Sequence, residues 1–181
     1  KRIQTLKVPN GGTLGVQSYR ELEAELPNDM PSLAKISDRT LARQLREEVW
    51  PRLQPVFLTN FERTSWTLPY RTSEIEVSWD RGSIRAGDRE EPIHELEIEL
   101  KGGDRVDLWG AAEELLDIVP FRLGHATKAA RGYALADAST AQPQKATPVK
   151  LTDQDTVAVA FEKIVTNCVA QMQANEAAVL A

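Results

Sequence analysis

Hydrophobic and polar residues alternate with a period of two along much of the chain. Such alternation is typical of antiparallel strands that have one apolar and one polar face. Turn residues at 9–12, at Asp80-Arg81-Gly82-Ser83 and at Gly87-Asp88 separate the alternating stretches, so we expect a hairpin followed by an antiparallel meander. The predicted strands are residues 3–8, 14–26, 56–68, 74–80, 83–86, 94–101 and an irregular last strand at 121–135.

Helical spacing replaces this alternation in three segments, which are residues 38–53, 107–119 and about 153 to the end. Asp38 and Thr152 stand where helix N-caps are expected. Residues 137–149, which precede the last of these helices, are rich in Ala, Ser, Thr, Gln and Pro. This composition predicts a linker. The elements together predict an α+β fold.

Acidic residues occupy the polar faces of two neighbouring predicted strands. On a water-exposed face they need no further explanation. In an enclosed site, two carboxylates about 5 Å apart repel by about 3 kcal/mol at an effective dielectric constant near 20. An enclosed face must therefore be neutralised by bound cations or by basic side chains. The acids that share these faces are Glu74, Glu76 and Asp80 on one strand and Glu95, Glu97 and Glu99 on the other.

Basic side chains on or beside the predicted strands can supply part of that neutralisation. We expect helices 38–53 and 107–119 to cover the apolar strand faces, so that the charged faces line a central lumen. A lumen containing acids and bases suits a polyanion bridged by Mg²⁺ or Mn²⁺, both of which prefer oxygen ligands. The candidate cations are Lys7, Arg63, Arg85, Lys101, Lys128 and Arg131.

Composition limits the other classes of function. The 181 residues carry a net charge of -5, which disfavours a nucleic-acid partner. The single cysteine, Cys168, gives no support for an oxidising compartment, and two histidines poorly supply a zinc site or a catalytic triad. With neither a secretory leader nor a membrane-length apolar run in the sequence, we expect a cytoplasmic protein with no membrane partner.

Several short stretches resemble the CYTH superfamily of triphosphate tunnel metalloenzymes, specifically the bacterial subgroup in which a CYTH domain is fused to a helical CHAD domain. The run from 74 to 101 is the most specific of them. The matching stretches are Gln-Thr-Leu-Lys at 4–7, Glu-Arg-Thr-Ser-Trp at 62–66, Ile-Glu-Val-Ser-Trp-Asp-Arg-Gly-Ser-Ile-Arg-Ala-Gly at 75–87, Glu-Leu-Glu-Ile-Glu-Leu-Lys at 95–101 and Thr-Lys-Ala-Ala-Arg-Gly-Tyr at 127–133.

The resemblance implies an antiparallel tunnel, of eight strands when complete, that hydrolyses inorganic triphosphate or a related triphosphate with magnesium. It implies that Asp80, Glu97 and Glu99 bind metal and that three basic residues grip phosphates and act in catalysis. The basic residues are Lys7, Arg63 and Lys128, and the further substrate-binding candidates are Arg131, Glu21 and Glu23.

The resemblance also predicts the domain organisation. Residues 1–136 correspond to a CYTH domain, residues 137–149 to a linker, and residues 150–181 to the start of a CHAD domain that binds polyphosphate. The Glu-x-Glu-x-Lys signature of the family's first strand has no counterpart at the start of the sequence, where Lys1-Arg2 enters partway through a predicted strand, so we expect a domain truncated at its N-terminus. Whether such a piece is active by itself stays open.

Two other functions remain alternatives. A class IV adenylyl cyclase shares the fold and would convert ATP to cyclic AMP, although no adenine-recognition motif stands out. A non-catalytic polyphosphate-binding module would bind the same anion without turnover.

Overall fold

The computed structural model describes residues 1–13, 16–138 and 142–180. These residues form five strands in two antiparallel sheets together with four α-helices. The predicted α+β class is therefore confirmed, whereas the closed tunnel of eight strands stays a prediction.

The chain divides into two compact units, and the domain boundaries expected from sequence stay a prediction. Residues 139–141 and 181, which fall within the predicted linker and CHAD segment, lie outside the described residues. The first unit comprises Lys1–Pro55 and Gln144–Ala174, and the second comprises Val56–Pro143 and Asn175–Ala181.

A β-hairpin opens the first unit. Strand β1 (Ile3–Thr13) pairs with β2 (Val16–Glu25), and the register shifts between Pro9 and Gly12. The turn predicted at 9–12 is thus wrong, since β1 continues through it to Thr13. The local irregularity accommodates Pro9, which has no amide proton for the ladder. Residues 14 and 15 of the second predicted strand lie outside the described residues.

Helix α1 (Arg39–Glu48) follows the hairpin. The Asp38 carboxylate accepts a hydrogen bond from the Leu41 amide at 3.0 Å, which confirms the predicted N-cap. The helix is shorter than the predicted 38–53, because Pro51 lies in a separate 3₁₀ turn over Trp50–Arg52.

Helix α4 (Val157–Leu180) is the long C-terminal helix. It begins later than predicted, and Thr156 rather than Thr152 caps it, since the Thr156 hydroxyl accepts a hydrogen bond from the Val159 amide at 3.3 Å. Asp155 precedes the helix and is paired with Lys163. Neither α4 nor any other helix in the described part of the chain is long and apolar enough to cross a bilayer.

Three long strands form the sheet of the second unit in the order β3-β4-β5. They are β3 (Leu58–Tyr70), β4 (Ser73–Ala86) and β5 (Arg89–Gly102). The turn at Gly87-Asp88 is confirmed, and Gly87 has the positive φ of 59° that such a turn favours.

The turn predicted at residues 80–83 is wrong, because β4 runs unbroken from Ser73 to Ala86. Gly82 serves close packing instead of chain reversal. A Cβ atom at this position would lie 2.0 Å from the Asn60 carbonyl oxygen and 2.5 Å from the Phe61 Cα on β3. The strands approach here more closely than any side chain at Gly82 permits.

We expect Gly82→Ala to lower the free energy of unfolding by about 1–3 kcal/mol, because backbone atoms of β3 must move to admit the methyl group. The matched control is Gly102→Ala in β5, where an added Cβ meets nothing within 4 Å. That control should change stability by less than about 0.5 kcal/mol. Urea denaturation of both variants checks the expectation, and equal stability of the two would contradict it.

Helix α2 (Arg105–Ile118) covers one face of this sheet. Ile75 and Val77 of β4 are buried together with Ala111 of the helix. The predicted helix at 107–119 is confirmed within two residues, as is its position over apolar strand residues. The matching role predicted for α1 stays a prediction.

Helix α3 (Lys128–Asp137) lies where the sequence predicted a last strand over residues 121–135, and that prediction is wrong. The segment contains several alanines and begins behind Thr127, whose hydroxyl accepts a hydrogen bond from the Ala130 amide at 3.0 Å. High alanine content and an N-cap both favour a helix. Gly132 lets α3 pack closely against Phe57, the residue before β3, since a Cβ atom at Gly132 would lie 2.4 Å from the Phe57 ring.

Candidate active site

Strand register aligns one basic and two acidic residues across the sheet of the second unit. Arg63 of β3 lies opposite Asp80 of β4, and Asp80 lies opposite Glu95 of β5. Directly opposed residues project from the same face of a sheet. Glu97 follows Glu95 by two positions on β5 and therefore shares this face.

Asp80 is the buried centre of the site, with none of its surface exposed. Arg63 grips it with two hydrogen bonds, from Nε to Oδ1 at 2.7 Å and from Nη2 to Oδ2 at 2.6 Å. Burial by itself would raise the pKa of Asp80, but hydrogen bonds from Arg63 and Lys128 outweigh it, and the pKa is held below its usual value. Asp80 is consequently a buried carboxylate that keeps its negative charge.

Helix α3 delivers a lysine to the same place. Lys128 is the first residue of α3, and its ammonium lies 2.7 Å from Asp80 Oδ2 and 2.7 Å from Glu97 Oε1. It also contacts Glu95 Oε1. Burial opposes the charge of Lys128, but the hydrogen bonds to the three carboxylates outweigh burial and raise its pKa. The lysine therefore stays protonated among them.

Arg131 lies one helical turn after Lys128 and holds the neighbouring part of β5. It donates hydrogen bonds to Glu91 Oε1 at 2.6 Å, to Glu95 Oε2 at 3.0 Å and to the Pro92 carbonyl oxygen at 2.6 Å. One oxygen of Glu95 is thus held by Arg131, while the other faces Lys128. This geometry indicates that Arg131 positions Glu95.

Three carboxylates, from Asp80, Glu95 and Glu97, each offer an oxygen within 4.8 Å of the other two. The sequence analysis placed Glu95 on this face but did not include it among the metal candidates. The strict alternation of residues 94–101 indicated that Glu95 lies on the acidic face. The sequence did not indicate the strand register that places Glu95 opposite Asp80. Register between strands is fixed by three-dimensional packing and turn geometry, so alternation by itself does not provide it.

Glu99 lies further along β5 and is not part of this group of three. Its carboxylate contacts Lys101 Nζ at 2.9 Å, and Lys101 also contacts Glu76 at 3.3 Å. The Glu99 side chain is 63% exposed. A water-exposed strand face is therefore a sufficient explanation for the acidic residue Glu99, but it does not explain the buried Asp80.

The remaining predicted site residues lie in the hairpin of the first unit. Lys7 of β1 is opposite Glu21 of β2, and Lys7 Nζ lies 2.8 Å from Glu21 Oε1. Glu23 accepts a hydrogen bond from the Thr5 hydroxyl at 3.1 Å. Lys7, Glu21 and Glu23 are thus brought together on one face of the hairpin, and their roles toward a substrate stay predictions.

The donor atoms of the second unit fit a hard divalent cation. Asp80, Glu95 and Glu97 offer carboxylate oxygens only, which is the ligand type that Mg²⁺ and Mn²⁺ prefer. A positive charge already lies among the three carboxylates, because the Lys128 ammonium contacts each of them. Arg63 and Lys128 supply donors for anionic oxygens beside the same point.

Comparison with known proteins identifies the family of this chain. The sequence matches the CYTH domain over residues 1–133. The chain belongs to the CYTH domain family. This CYTH domain is also 46% identical, over 132 residues, to an inorganic triphosphatase of Haemophilus influenzae.

The alignment with that relative covers 72% of this chain but only 37% of the Haemophilus protein. The chain thus corresponds to little more than a third of the relative's length. The match to the family confirms the resemblance that the sequence motifs indicated, at the level of the CYTH domain. The CHAD segment and the truncation stay predictions.

Proposed function

We propose that the full-length protein hydrolyses inorganic triphosphate, or a related short-chain phosphate or organic triphosphate, with the help of a divalent metal ion. The observation that carries this proposal is the buried Asp80, which is held in its charged form by Arg63 and Lys128 beside two further carboxylates. Such a site accommodates both a cation and an anion. The name of the Haemophilus relative supports the choice of inorganic triphosphate.

In this proposal Asp80, Glu95 and Glu97 would hold Mg²⁺ or Mn²⁺, and Glu99 remains a further candidate ligand. A bound divalent cation would polarise phosphate oxygens and orient an attacking water. The fold already brings these carboxylates together. The site is therefore preorganised, and no reorganisation of the carboxylates is required at the moment of reaction.

The basic residues act on the phosphate chain. Arg63 and Lys128 donate hydrogen bonds to its oxygens and stabilise the charge that develops on the transferring phosphoryl group. Arg131 keeps Glu95 in place, since three of its five N–H donors bind Glu91, Glu95 and the Pro92 carbonyl, and it remains a further candidate for binding substrate.

The hairpin residues of the first unit have proposed roles of their own. Lys7 would bind and act on phosphate, Glu21 and Glu23 would contribute acids to substrate binding, and this assignment is supported by the family resemblance. The closed antiparallel tunnel of eight strands is part of the same proposal. Residues 150–181 are proposed to begin a CHAD domain with affinity for polyphosphate, supported by the helical α4 and by the sequence resemblance.

Phosphate release from tripolyphosphate by the full-length protein tests the proposal. We expect turnover with Mg²⁺ or Mn²⁺, none with EDTA, and slower turnover of ATP than of tripolyphosphate. Formation of cyclic AMP from ATP would instead indicate a class IV adenylyl cyclase. Calorimetric binding of tripolyphosphate without phosphate release would indicate a non-catalytic polyphosphate module, and either result would overturn the proposal.

A further inference from the structure

The Lys128 ammonium lies among the three carboxylates that would hold a metal ion in the proposed site. This ammonium lies 2.7 Å from both Asp80 Oδ2 and Glu97 Oε1 and also contacts Glu95 Oε1. These are the same three residues whose oxygens converge within 4.8 Å of one another. The Lys128 side chain is only 13% exposed, so the ammonium is enclosed by its acidic partners.

We propose that Lys128 is an exchangeable internal cation. It neutralises the three carboxylates when metal is absent, and the arriving metal displaces its ammonium, which then becomes free to bind the substrate phosphates. This inference rests on the metal site of the proposed function. It adds an order of events in which the binding of metal prepares the site for the anion.

Charge balance supports the exchange. Asp80, Glu95 and Glu97 carry three negative charges, and the two cations in direct contact with Asp80, Arg63 and Lys128, carry two positive charges. A divalent ion added while Lys128 remained in place would therefore face a nearly neutral group and a nearby like charge, which weakens metal binding. Moving the ammonium away removes that repulsion and frees the carboxylate lone pairs that Lys128 occupied, while Arg63 and Arg131 keep their own hydrogen bonds to Asp80 and Glu95.

Helix geometry gives Lys128 the freedom to move. It is the first residue of α3, and the cap that begins the helix is made by Thr127 and the Ala130 amide, so the Lys128 side chain is not needed to hold the helix. Arg131, one turn later, ties α3 to β5 through Glu91 and the Pro92 carbonyl. The side chain of Lys128 can therefore leave the carboxylates while α3 stays anchored.

The first test is the binding of Mn²⁺ alone to the full-length protein, measured by calorimetry and by the loss of the free Mn²⁺ electron paramagnetic resonance signal. We expect Lys128→Met to bind Mn²⁺ about tenfold more tightly than the wild type, because no internal cation has to be displaced. The control is Lys163→Met, which removes a lysine of α4 that pairs with Asp155 and contacts none of the proposed metal ligands. It should change the Mn²⁺ affinity by less than about twofold.

The second test uses the wild type and does not depend on the folding of a variant. Acylation of individual lysines by an amine-reactive reagent is followed by mass spectrometry with and without saturating Mg²⁺. We expect Mg²⁺ to increase the labelling of Lys128 several-fold and to leave that of Lys163, whose partner is Asp155, unchanged.

Equal Mn²⁺ affinity in wild type and Lys128→Met, equal tightening in Lys163→Met, or unchanged labelling of Lys128 would each overturn the exchange. Both tests measure metal binding without turnover. A protein that passes them and leaves tripolyphosphate intact would disprove the proposed hydrolysis but not the displacement of Lys128.

Discussion

Glu97→Gln is expected to lower kcat/KM for tripolyphosphate by at least about 100-fold, which corresponds to about 2.7 kcal/mol of transition-state stabilisation. The substitution keeps the size of the side chain but removes the charge from one of the three converging carboxylates. It also deprives Lys128 and Arg63 of a shared partner. Phosphate release under saturating Mg²⁺ measures the effect.

Two variants on the same sheet make this prediction specific. Glu62→Gln on β3 alters a carboxylate whose side chain is 88% exposed and which pairs with Arg81, so activity should change by less than about twofold. Glu99→Gln measures how much Glu99 contributes to activity. The sequence assigned this acid to metal binding, but it lies outside the group of three carboxylates. Wild-type activity in Glu97→Gln would contradict the proposed site.

Arg63→Met is expected to lower the free energy of unfolding of the metal-free protein by about 2–3 kcal/mol. Removing one partner of a buried ion pair leaves a poorly compensated charge. This figure is set below the usual 3–5 kcal/mol because the Arg63 side chain is 40% exposed and because Lys128 still contacts the carboxylate. The partly stranded group is Asp80, which is fully buried and loses both hydrogen bonds from the guanidinium. Urea denaturation in EDTA measures the loss.

A double-mutant cycle separates this pairing from simple loss of packing. Adding Asp80→Asn to Arg63→Met removes the stranded charge and should restore part of the lost stability. Arg81→Met is the matched control, because Arg81 of β4 has an exposed partner, Glu62, at 3.7 Å. A stability loss in Arg81→Met as large as that in Arg63→Met would show that the burial of Asp80 is not the cause.

The central acidic strands could be predicted because acidic and apolar residues alternate along them with a period of two. Ile75 and Val77 alternate with polar neighbours, and in the structure they enter the core under α2. The cap at Asp38 could likewise be predicted, since a cap depends on a few consecutive residues. Features determined within one strand or one helical turn are accessible from sequence.

Features that depend on a distant part of the chain were not accessible in the same way. Gly82 was interpreted as a turn residue, whereas it serves the close approach of β3 to β4. The role of Gly82 follows from a strand that lies many positions away in sequence. The segment containing Lys128 is a different case. It was interpreted as a strand, although local signals, its alanines and the Thr127 cap, favour the observed helix.

Lys128 lies beside acids that the sequence also singled out, and its role there stays a prediction. The prediction assigned it to a strand, but the side chain reaches the same acids from the start of α3. Glu95 was left out because its importance follows from its register with Asp80. The types of residue in the candidate site could thus be predicted from sequence, whereas their grouping in space depends on the fold.

The most direct test of the central claim is an anomalous difference map from crystals of the full-length protein containing Mn²⁺. The account predicts a Mn²⁺ peak within coordination distance of the carboxylates of Asp80 and Glu97, with the Lys128 ammonium moved away from them. A peak confined to the exposed acids Glu76 and Glu99, or no peak beside Asp80 at saturating Mn²⁺, would contradict it.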